Sequence, residues 1–278
     1  MASPFVQNFP FKTLRKNQDY ILNEIDSAFK SGYKYILLEA PTGIGKSPVA
    51  ISVARTLGNS YICASTKDLQ AQYSRDFPYV RIVKGKNNFT CNVREDFIKN
   101  GTFKCTICPN SSKRFKSLSG CFHTSVEYGP CLTYPDFQKG KCRYKTTWKD
   151  YTIDNPGTTD KQVFISEDII KMHQELYSQW SYPGDSKLKE EFRVWRPCEY
   201  YDQVIKAILS SHTIFNYALY LSLLKYWVNN PLPPKNLLVL DEAHKLEEEV
   251  VRFTGISISK KHYQRYIPDF KLILDLMI

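Results

Sequence analysis

The sequence predicts an α/β protein in which helices flank a parallel sheet and a cysteine-rich module is inserted into the sheet domain. Two apolar, strand-like runs carry this prediction. One leads into the glycine-rich turn APTGIGKS at 40–47, and the other ends in the acids of LLVLDEAH at 237–244. Between them, residues 85–197 show no sustained helical or strand periodicity. Strands that alternate with helices favour a parallel core, and an irregular stretch of this length indicates an inserted module, mostly irregular or helical.

Hydrophobic periodicity predicts the elements of the core one after another. The first helix ends at Gly32, a residue type suited to helix C-termini, and Pro48 is compatible with the first turn of the second helix. In chain order, the predicted elements are helix 13–31, strand 34–40, helix 46–57, strand 60–65, helix 67–77, strand 79–83, helix 198–211, strand 212–217, helix 218–228 and strand 237–240. The predicted domains are 1–84 and 199–247 for the two parts of the core, 85–198 for the module, and 248–278 for a C-terminal segment.

The charge of the chain is concentrated in one region. Residues 81–149 hold 14 Lys and Arg against 4 Asp and Glu, a net charge of +10, which equals the net charge of the whole chain. Phe, Tyr and Trp are interleaved with these basic residues, as in surfaces that follow a phosphate backbone and stack on bases. The alternative is a solvated basic insertion without a ligand.

No apolar run reaches the roughly 18–20 residues of a membrane span, and the N-terminus lacks the apolar core of a signal peptide. We therefore expect a soluble intracellular protein, cytoplasmic and nucleoid-associated in a prokaryote or nuclear in a eukaryote. Disulfides are unexpected in such a compartment. Of the eight cysteines, Cys63 lies in an apolar strand and is expected in the core, whereas six fall between 91 and 142 and favour metal binding.

The turn at 40–47 has the composition of a phosphate-binding loop. Gly43 and Gly45 allow the backbone to wrap around phosphates, Lys46 would reach the β- and γ-phosphates, and the Ser47 hydroxyl would bind Mg²⁺. The loop residues expected to bind ATP are Thr42, Gly43, Ile44, Gly45, Lys46 and Ser47. A purely structural strand–turn–helix is the alternative for this motif alone.

The acids that follow the last predicted strand complete the expected site. A buried parallel strand would deliver Asp241 and Glu242 to the carboxyl edge of the sheet, where ligands of open α/β folds bind. Asp241 would hold Mg²⁺ and Glu242 would polarise the attacking water. DEAH resembles the motif of DEAH proteins, and this resemblance implies that His244 couples the nucleotide site to a partner domain. A capping or exposed histidine is the alternative.

Together, APTGIGKS and DEAH resemble motifs I and II of a superfamily 2 helicase, and more specifically those of the XPD/DinG family of iron–sulfur DNA helicases. Three further segments carry the resemblance: FPFKTLRKNQ (9–18), ASTKDLQAQY (64–73) and RPCEYYDQVIKAILSSHTIFNYALYL (196–221). The resemblance implies a RecA-like fold of the P-loop NTPase class. It also implies that Arg15 and Gln18 lie on the adenine side, with nucleic-acid strand contacts near Ser65, Thr66, Lys67 and Gln70.

The same resemblance implies a [4Fe–4S] cluster held by four cysteines. Cys91 and Cys198 resemble the first and last ligands, and we favour Cys131 and Cys142 as the middle pair. Cys105 and Cys108 are the alternative middle pair. If they are not cluster ligands, they form the spacing C-x2-C-x12-C-x-H with Cys121 and His123, which can hold zinc or remain as unligated thiols. A module that binds only zinc is a further alternative, since thiolates accept either metal.

The resemblance implies an ATP-dependent, 5′-to-3′ DNA helicase of DNA repair, acting on single-stranded or forked DNA with ATP and Mg²⁺. The residues after DEAH are too few for a second RecA-like lobe and are similar to the start of an arch-type insertion. We therefore expect unwinding to need a second lobe in cis or in trans. The alternative function is a non-catalytic, metal-stapled nucleic-acid-binding protein.

Overall fold

The computed structural model describes residues 3–99, 125–128, 142–155, 162–178, 195–226 and 232–255. Its helices are α1 (Pro4–Gln7), α2 (Gln18–Lys30), α3 (Lys46–Leu57), α4 (Lys67–Asp76), α5 (Asn92–Lys99), α6 (Glu167–Ser178), α7 (Glu199–Leu209), α8 (Tyr217–Tyr226) and α9 (Leu246–Thr254). Its strands are β1 (Ser60–Ala64), β2 (Val80–Ile82), β3 (Tyr151–Asp154), β4 (Gln162–Ile165), β5 (His212–Asn216) and β6 (Leu237–Leu240). Among the described helices, none is both long enough and apolar enough to cross a bilayer.

Four strands form the central parallel sheet, in the order β2-β5-β1-β6. Ser60 at the start of β1 is in register with His212 of β5 and with Leu237 of β6, so the three strands run level. Their carboxyl ends therefore meet at one edge of the sheet. The parallel α/β core that the sequence predicts is confirmed.

Alternation along β1 separates the two layers that cover the sheet, since successive side chains of a strand point to opposite faces. Ile62 and Ala64 pack with residues of α3 and α4 on one face. Tyr61 packs on the other face with residues of α7 and α8. A third cluster joins α1, α2 and α3 to Leu237 of β6. The buried position of Cys63 in β1, with no exposed surface, confirms its expected place in the core.

The strand predicted at 34–40 is not formed in the structure. Tyr35 is 92% exposed and Leu37 is 87% exposed, whereas Leu38 packs against the cluster formed by α1, α2 and α3. A strand needs a neighbour for its backbone N–H and C=O groups. Within the described residues, β6 is an edge strand of the sheet and 34–40 pairs with no strand. The apolar composition of 34–40 is therefore not enough by itself to form a strand.

The region predicted to be an inserted module, 85–198, contains more regular structure in its described residues than the sequence indicates. The sequence predicts a loop at 150–162, but Tyr151–Asp154 and Gln162–Ile165 pair as an antiparallel hairpin, and Glu167–Ser178 forms a helix. The turn residues of DNPGTTDKQ dominate the local composition and hide the short strands on either side. The module also shares its core with the sheet, because Cys91, Tyr144 and Trp195 lie in the cluster that contains Tyr61 of β1.

Candidate nucleotide-binding site

The glycine-rich turn joins the 34–40 segment to α3 at the carboxyl edge of the sheet. Gly43 and Gly45 have φ angles of 85° and 86°, a left-handed conformation that L side chains rarely adopt. Gly45 is the N-cap of α3, so Lys46 and Ser47 are the first residues of that helix. The N-terminus of a helix carries partial positive charge and unpaired N–H groups, which makes it suitable for phosphate.

Two side chains at the N-terminus of α2, Arg15 just before it and Gln18 as its first residue, clamp this turn. Gln18, which is 1% exposed, donates from Nε2 to the carbonyl oxygens of Ile44 at 2.8 Å and Gly45 at 3.3 Å. Its Oε1 accepts from the backbone N–H of Arg15 at 2.7 Å, and the Arg15 guanidinium donates to the Gly43 carbonyl at 2.9 Å. Arg15 and Gln18, predicted on the adenine side, thus contact the loop backbone itself.

Lys46 also binds the loop in this arrangement. Its Nζ donates to the Ala40 carbonyl oxygen at 2.9 Å, across the turn. The ammonium group is therefore held against the backbone of the turn. This position is compatible with the predicted phosphate contact.

The acidic residues of DEAH follow β6 directly. The backbone N–H of Asp241 donates to the Cys63 carbonyl at 2.9 Å, which continues the pairing of β6 with β1. Glu242 has a φ angle of 56°, an uncommon conformation for a residue other than glycine, and this turns the chain into a short helix at Ala243–Lys245. The His244 Nδ1 atom lies 3.3 Å from a carboxylate oxygen of Glu242.

Two tyrosines that the sequence interpretation did not single out hold Asp241. The Tyr73 hydroxyl donates to Asp241 Oδ2 at 2.7 Å, and the Tyr217 hydroxyl donates to the Asp241 carbonyl at 2.9 Å. Burial, and next the charge of Asp241, raises the pKa of Tyr73 well above its usual value, so its hydroxyl stays a donor. The sequence places Tyr73 in the predicted helix 67–77, but it gives no sign that the hydroxyl reaches the site.

The residues expected to contact a nucleic-acid strand lie at the start of α4, near the same sheet edge. Thr66 and Lys67 are exposed, and the Thr66 hydroxyl caps the helix by accepting from the Leu69 N–H at 3.2 Å. Ser65 is half-buried. Gln70 is only 3% exposed, so its side chain faces the interior.

Three of the cysteines favoured as cluster ligands are described, and they share one apolar cluster. Cys91 and Cys198 are buried in it and Cys142 packs against it. The Cys198 N–H donates to the Tyr144 carbonyl at 2.7 Å, two residues after Cys142. Cys91 directly precedes α5 and Cys198 is the N-cap of α7. Both residues therefore lie at helix N-termini.

A buried polar network supports this cysteine region. Asp96 accepts from the Arg143 guanidinium at 3.1 Å and from the Tyr144 hydroxyl. The Trp195 indole donates to the Arg143 carbonyl at 2.8 Å, and its ring stacks on His173 at a centroid distance of 4.4 Å. Tyr144 and Trp195 are thus part of the core.

Other predictions for the module lie outside the described residues: those for Cys131 and for Cys105, Cys108, Cys121 and His123. Within the part of the chain that the structure describes, no three His, Cys, Asp or Glu side chains are grouped closely enough to hold a metal ion. Cys91, Cys142 and Cys198 therefore share one apolar cluster, but they do not by themselves form a set of metal ligands.

Comparison with protein families places this geometry in context. Residues 11–119 match the family model described as type III restriction enzyme, res subunit. The match indicates a superfamily 2 helicase-like motor domain. It includes the glycine-rich turn, α3, α4 and Cys91, and it stops before β6 and the acidic pair. A comparison with curated proteins finds no match.

Proposed function

We propose that this chain is the ATP-binding lobe of an XPD/DinG-like DNA helicase, a DNA-dependent ATPase with an iron–sulfur module. One observation carries the proposal: the glycine-rich turn and the acidic pair meet at the same edge of the sheet, where Tyr73 donates to Asp241 and lies close to Ser47. A structural turn or a helix cap alone does not require this convergence. The match to a helicase-type motor over 11–119 supports the same interpretation.

In the proposed reaction, each group acts through its chemistry and its position. Lys46 exchanges its contact with the Ala40 carbonyl for phosphate oxygens and neutralises their charge. Glu242 orients and polarises the water that attacks the γ-phosphate. His244, 3.3 Å from Glu242, transmits the state of the nucleotide site to a partner domain. The clamp of Arg15 and Gln18 keeps the loop shaped for the phosphates before the nucleotide arrives.

Mg²⁺ would be held by Ser47 and Asp241, whose hydroxyl and carboxylate oxygens are ligands of the kind that this ion prefers. The donor set fits, since the Asp241 carboxylate accepts from the Tyr73 hydroxyl and the Ser47 side chain lies close to that hydroxyl. When bound with ATP, Mg²⁺ would neutralise charge that develops on the phosphates. The residues themselves bind and orient the nucleotide.

The [4Fe–4S] cluster would be held by Cys91, Cys131, Cys142 and Cys198. The chemistry of the described donors fits, because the thiols of Cys91, Cys142 and Cys198 share one apolar cluster and two of them lie at helix N-termini. A bound cluster would cross-link the module. The residues around it, Asp96 and Arg143 above all, fix the backbone that carries Cys142 and Cys198.

The basic region 81–149 would contact DNA, and strand separation at a fork would proceed 5′-to-3′ with a second RecA-like lobe supplied in cis or in trans. An arginine supplied from across the nucleotide accelerates turnover by several orders of magnitude. When that second lobe is absent, we expect binding of Mg-ATP and single-stranded DNA, slow ATP hydrolysis and no unwinding.

The test compares wild type with Lys46→Ala and Glu242→Gln in nucleotide binding and in ATP hydrolysis with and without single-stranded DNA. Lys46→Ala should bind ATP at least about tenfold more weakly, and Glu242→Gln should bind ATP but not hydrolyse it. Lys30→Ala on the exposed face of α2 is the matched control and should behave as wild type. Equal ATP binding by wild type and Lys46→Ala would sink the proposal. DNA binding without any nucleotide binding would favour the non-catalytic, metal-stapled nucleic-acid-binding protein.

A further inference from the structure

Tyr73 occupies an unusual place for a core residue, because its hydroxyl reaches two side chains of the candidate site. It is 1% exposed and lies in α4, which is distant in sequence from both the glycine-rich turn and the acidic pair. Its O–H donates to Asp241 Oδ2 at 2.7 Å, and the Ser47 side chain lies close to the same hydroxyl. The phenol of Tyr73 thus lies between the glycine-rich turn and the acidic pair.

The ring of Tyr73 is fixed by its surroundings. It packs in the cluster that α3 and α4 form on the sheet, with Ile51, Ile62 and Val80. Phe77, one turn further along α4, lies at a ring-centroid distance of 5.7 Å. Because apolar groups pack around the ring, the phenol oxygen keeps one position. The Asp241 carboxylate that binds it is therefore held relative to the sheet.

The backbone of Asp241 is fixed independently of Tyr73. Its N–H donates to the Cys63 carbonyl and its carbonyl accepts from the Tyr217 hydroxyl, both at 2.9 Å. Those two bonds set where residue 241 lies, but they leave the rotation of its carboxylate open. In the described part of the chain, the Tyr73 hydroxyl is the group that hydrogen-bonds to that carboxylate.

We propose that Tyr73 is a positioning residue for the divalent-cation site of this ATPase, holding the Asp241 carboxylate toward the Ser47 side chain. The inference rests on the proposed function of the site. A single O–H donated to Oδ2 leaves the lone pairs on Oδ1 for a cation. The Asp241 carboxylate is therefore pre-arranged before Mg-ATP binds, which lowers the cost of ordering it.

The test is Tyr73→Phe, which keeps the ring and removes only the hydroxyl. The affinity for a fluorescent ATP analogue is measured across a Mg²⁺ titration and again in EDTA. The Mg²⁺ concentration for half-maximal binding should rise about tenfold, the usual effect of losing a group that orients metal ligands, while affinity in EDTA stays at the wild-type value. Tyr61→Phe is the matched control, since its hydroxyl donates to the Pro233 carbonyl at 2.8 Å, and its Mg²⁺ dependence should be that of wild type.

A double variant separates positioning from a general loss of packing. With Asp241→Asn in the background, Tyr73→Phe should shift the Mg²⁺ midpoint no further. An equal shift in both backgrounds, or an unchanged midpoint in Tyr73→Phe alone, would overturn the positioning role. Thermal denaturation of each variant sets a temperature at which all of them are folded.

The two proposals fail in different ways. If wild type binds no nucleotide, or binds it as Lys46→Ala does, the ATP site itself is wrong. If wild type shows Mg²⁺-dependent binding that Lys46→Ala weakens and Tyr73→Phe does not alter, the ATP site stands and the role of Tyr73 is wrong.

Discussion

The Nε2 atom of Gln18 stands 2.5 Å from the point where a Cβ atom on Gly45 would lie. Gly45 also has a φ angle of 86°, so the position requires glycine for two separate reasons. The close approach is what allows Gln18 to bind the Ile44 and Gly45 carbonyls. The shape of the turn thus depends on a residue that precedes it by more than twenty positions.

We predict that Gly45→Ala lowers the free energy of unfolding by about 2–3 kcal/mol, because left-handed backbone strain adds to displacement of the Gln18 amide. ATP binding should be lost with it. Gly58→Ala is the matched control, since Gly58 has the same φ angle of 86° and nothing within 4 Å. It should cost only about 1–2 kcal/mol and leave ATP binding intact. Chemical denaturation and nucleotide titration give both quantities, and equal losses for the two variants would contradict the prediction. In a Gln18→Ala background, Gly45→Ala should cost no more than Gly58→Ala.

The cysteine module leads to a prediction about metal content. Protein purified without oxygen should be brown, with about four irons and four sulfides per chain if the cluster has the [4Fe–4S] composition. Cys142→Ser should lose most of the iron. Cys63→Ala is the control and should keep it, because Cys63 lies in β1 rather than in the cluster around Cys91.

Two further variants decide between the alternative middle ligands. Loss of iron in Cys131→Ser but not in Cys105→Ser supports the favoured set, and the reverse pattern supports Cys105 and Cys108. A colourless protein with stoichiometric zinc would show that the module is stapled by zinc and that the iron–sulfur proposal is wrong.

The buried ion pair of the module should be worth more than the exposed pairs. Asp96→Ala leaves the Arg143 side chain, which is 3% exposed, without the carboxylate that it contacts. We expect a loss of about 3–5 kcal/mol in the free energy of unfolding. Asp76→Ala is the control, because its partner Arg75 is 75% exposed, and it should cost less than about 1 kcal/mol. Urea denaturation followed by tryptophan fluorescence measures both losses. Similar values for the two variants would mean that the charge of Arg143 is compensated in another way.

The buried thiol of Cys63 predicts a loss of stability at alkaline pH. Burial raises the pKa of Cys63 from 9.0 to about 12. Since the folded state holds the proton more tightly, this contribution is complete below pH 9 and is lost as the pH rises from about 9 to about 12. Between pH 8 and pH 10, wild type should lose about 1 kcal/mol more than Cys63→Ala. Denaturation curves at the two pH values measure this difference, and parallel losses would contradict it.

The sequence predicted those elements whose signals are local. The start of α3 at Lys46 follows from the glycine turn, and β1, β5 and β6 follow from short apolar runs between helical patterns. The segment 34–40 has an equally apolar run, but a strand also needs a neighbour, which no local pattern supplies. The β3–β4 hairpin was not predicted, for the opposite reason. Its two short strands pair with each other, but turn-forming residues dominate the local sequence and hide them.

The same distinction applies to the site. The sequence could predict four site residues because they belong to short motifs whose residue types indicate their chemistry: Lys46, Ser47, Asp241 and Glu242. The contacts of Tyr73 and Tyr217 could not, because they arise from the packing of α4 and α8 against distant residues. The sequence also did not predict that Gln18 binds the loop carbonyls, because a glutamine in the sequence gives no sign of whether its amide is buried.

The unpaired side of β6 has a consequence for the behaviour of the protein in solution. In the described part of the chain its outer N–H and C=O groups meet no strand, while Leu238 is 46% exposed and the apolar 34–40 segment is largely open. Such an edge favours sheet extension between molecules. The net charge of +10 opposes that association by mutual repulsion, and added salt screens the repulsion. Colloidal stability should therefore be greatest in dilute, low-salt buffer, and turbidity should rise with ionic strength before any unfolding occurs.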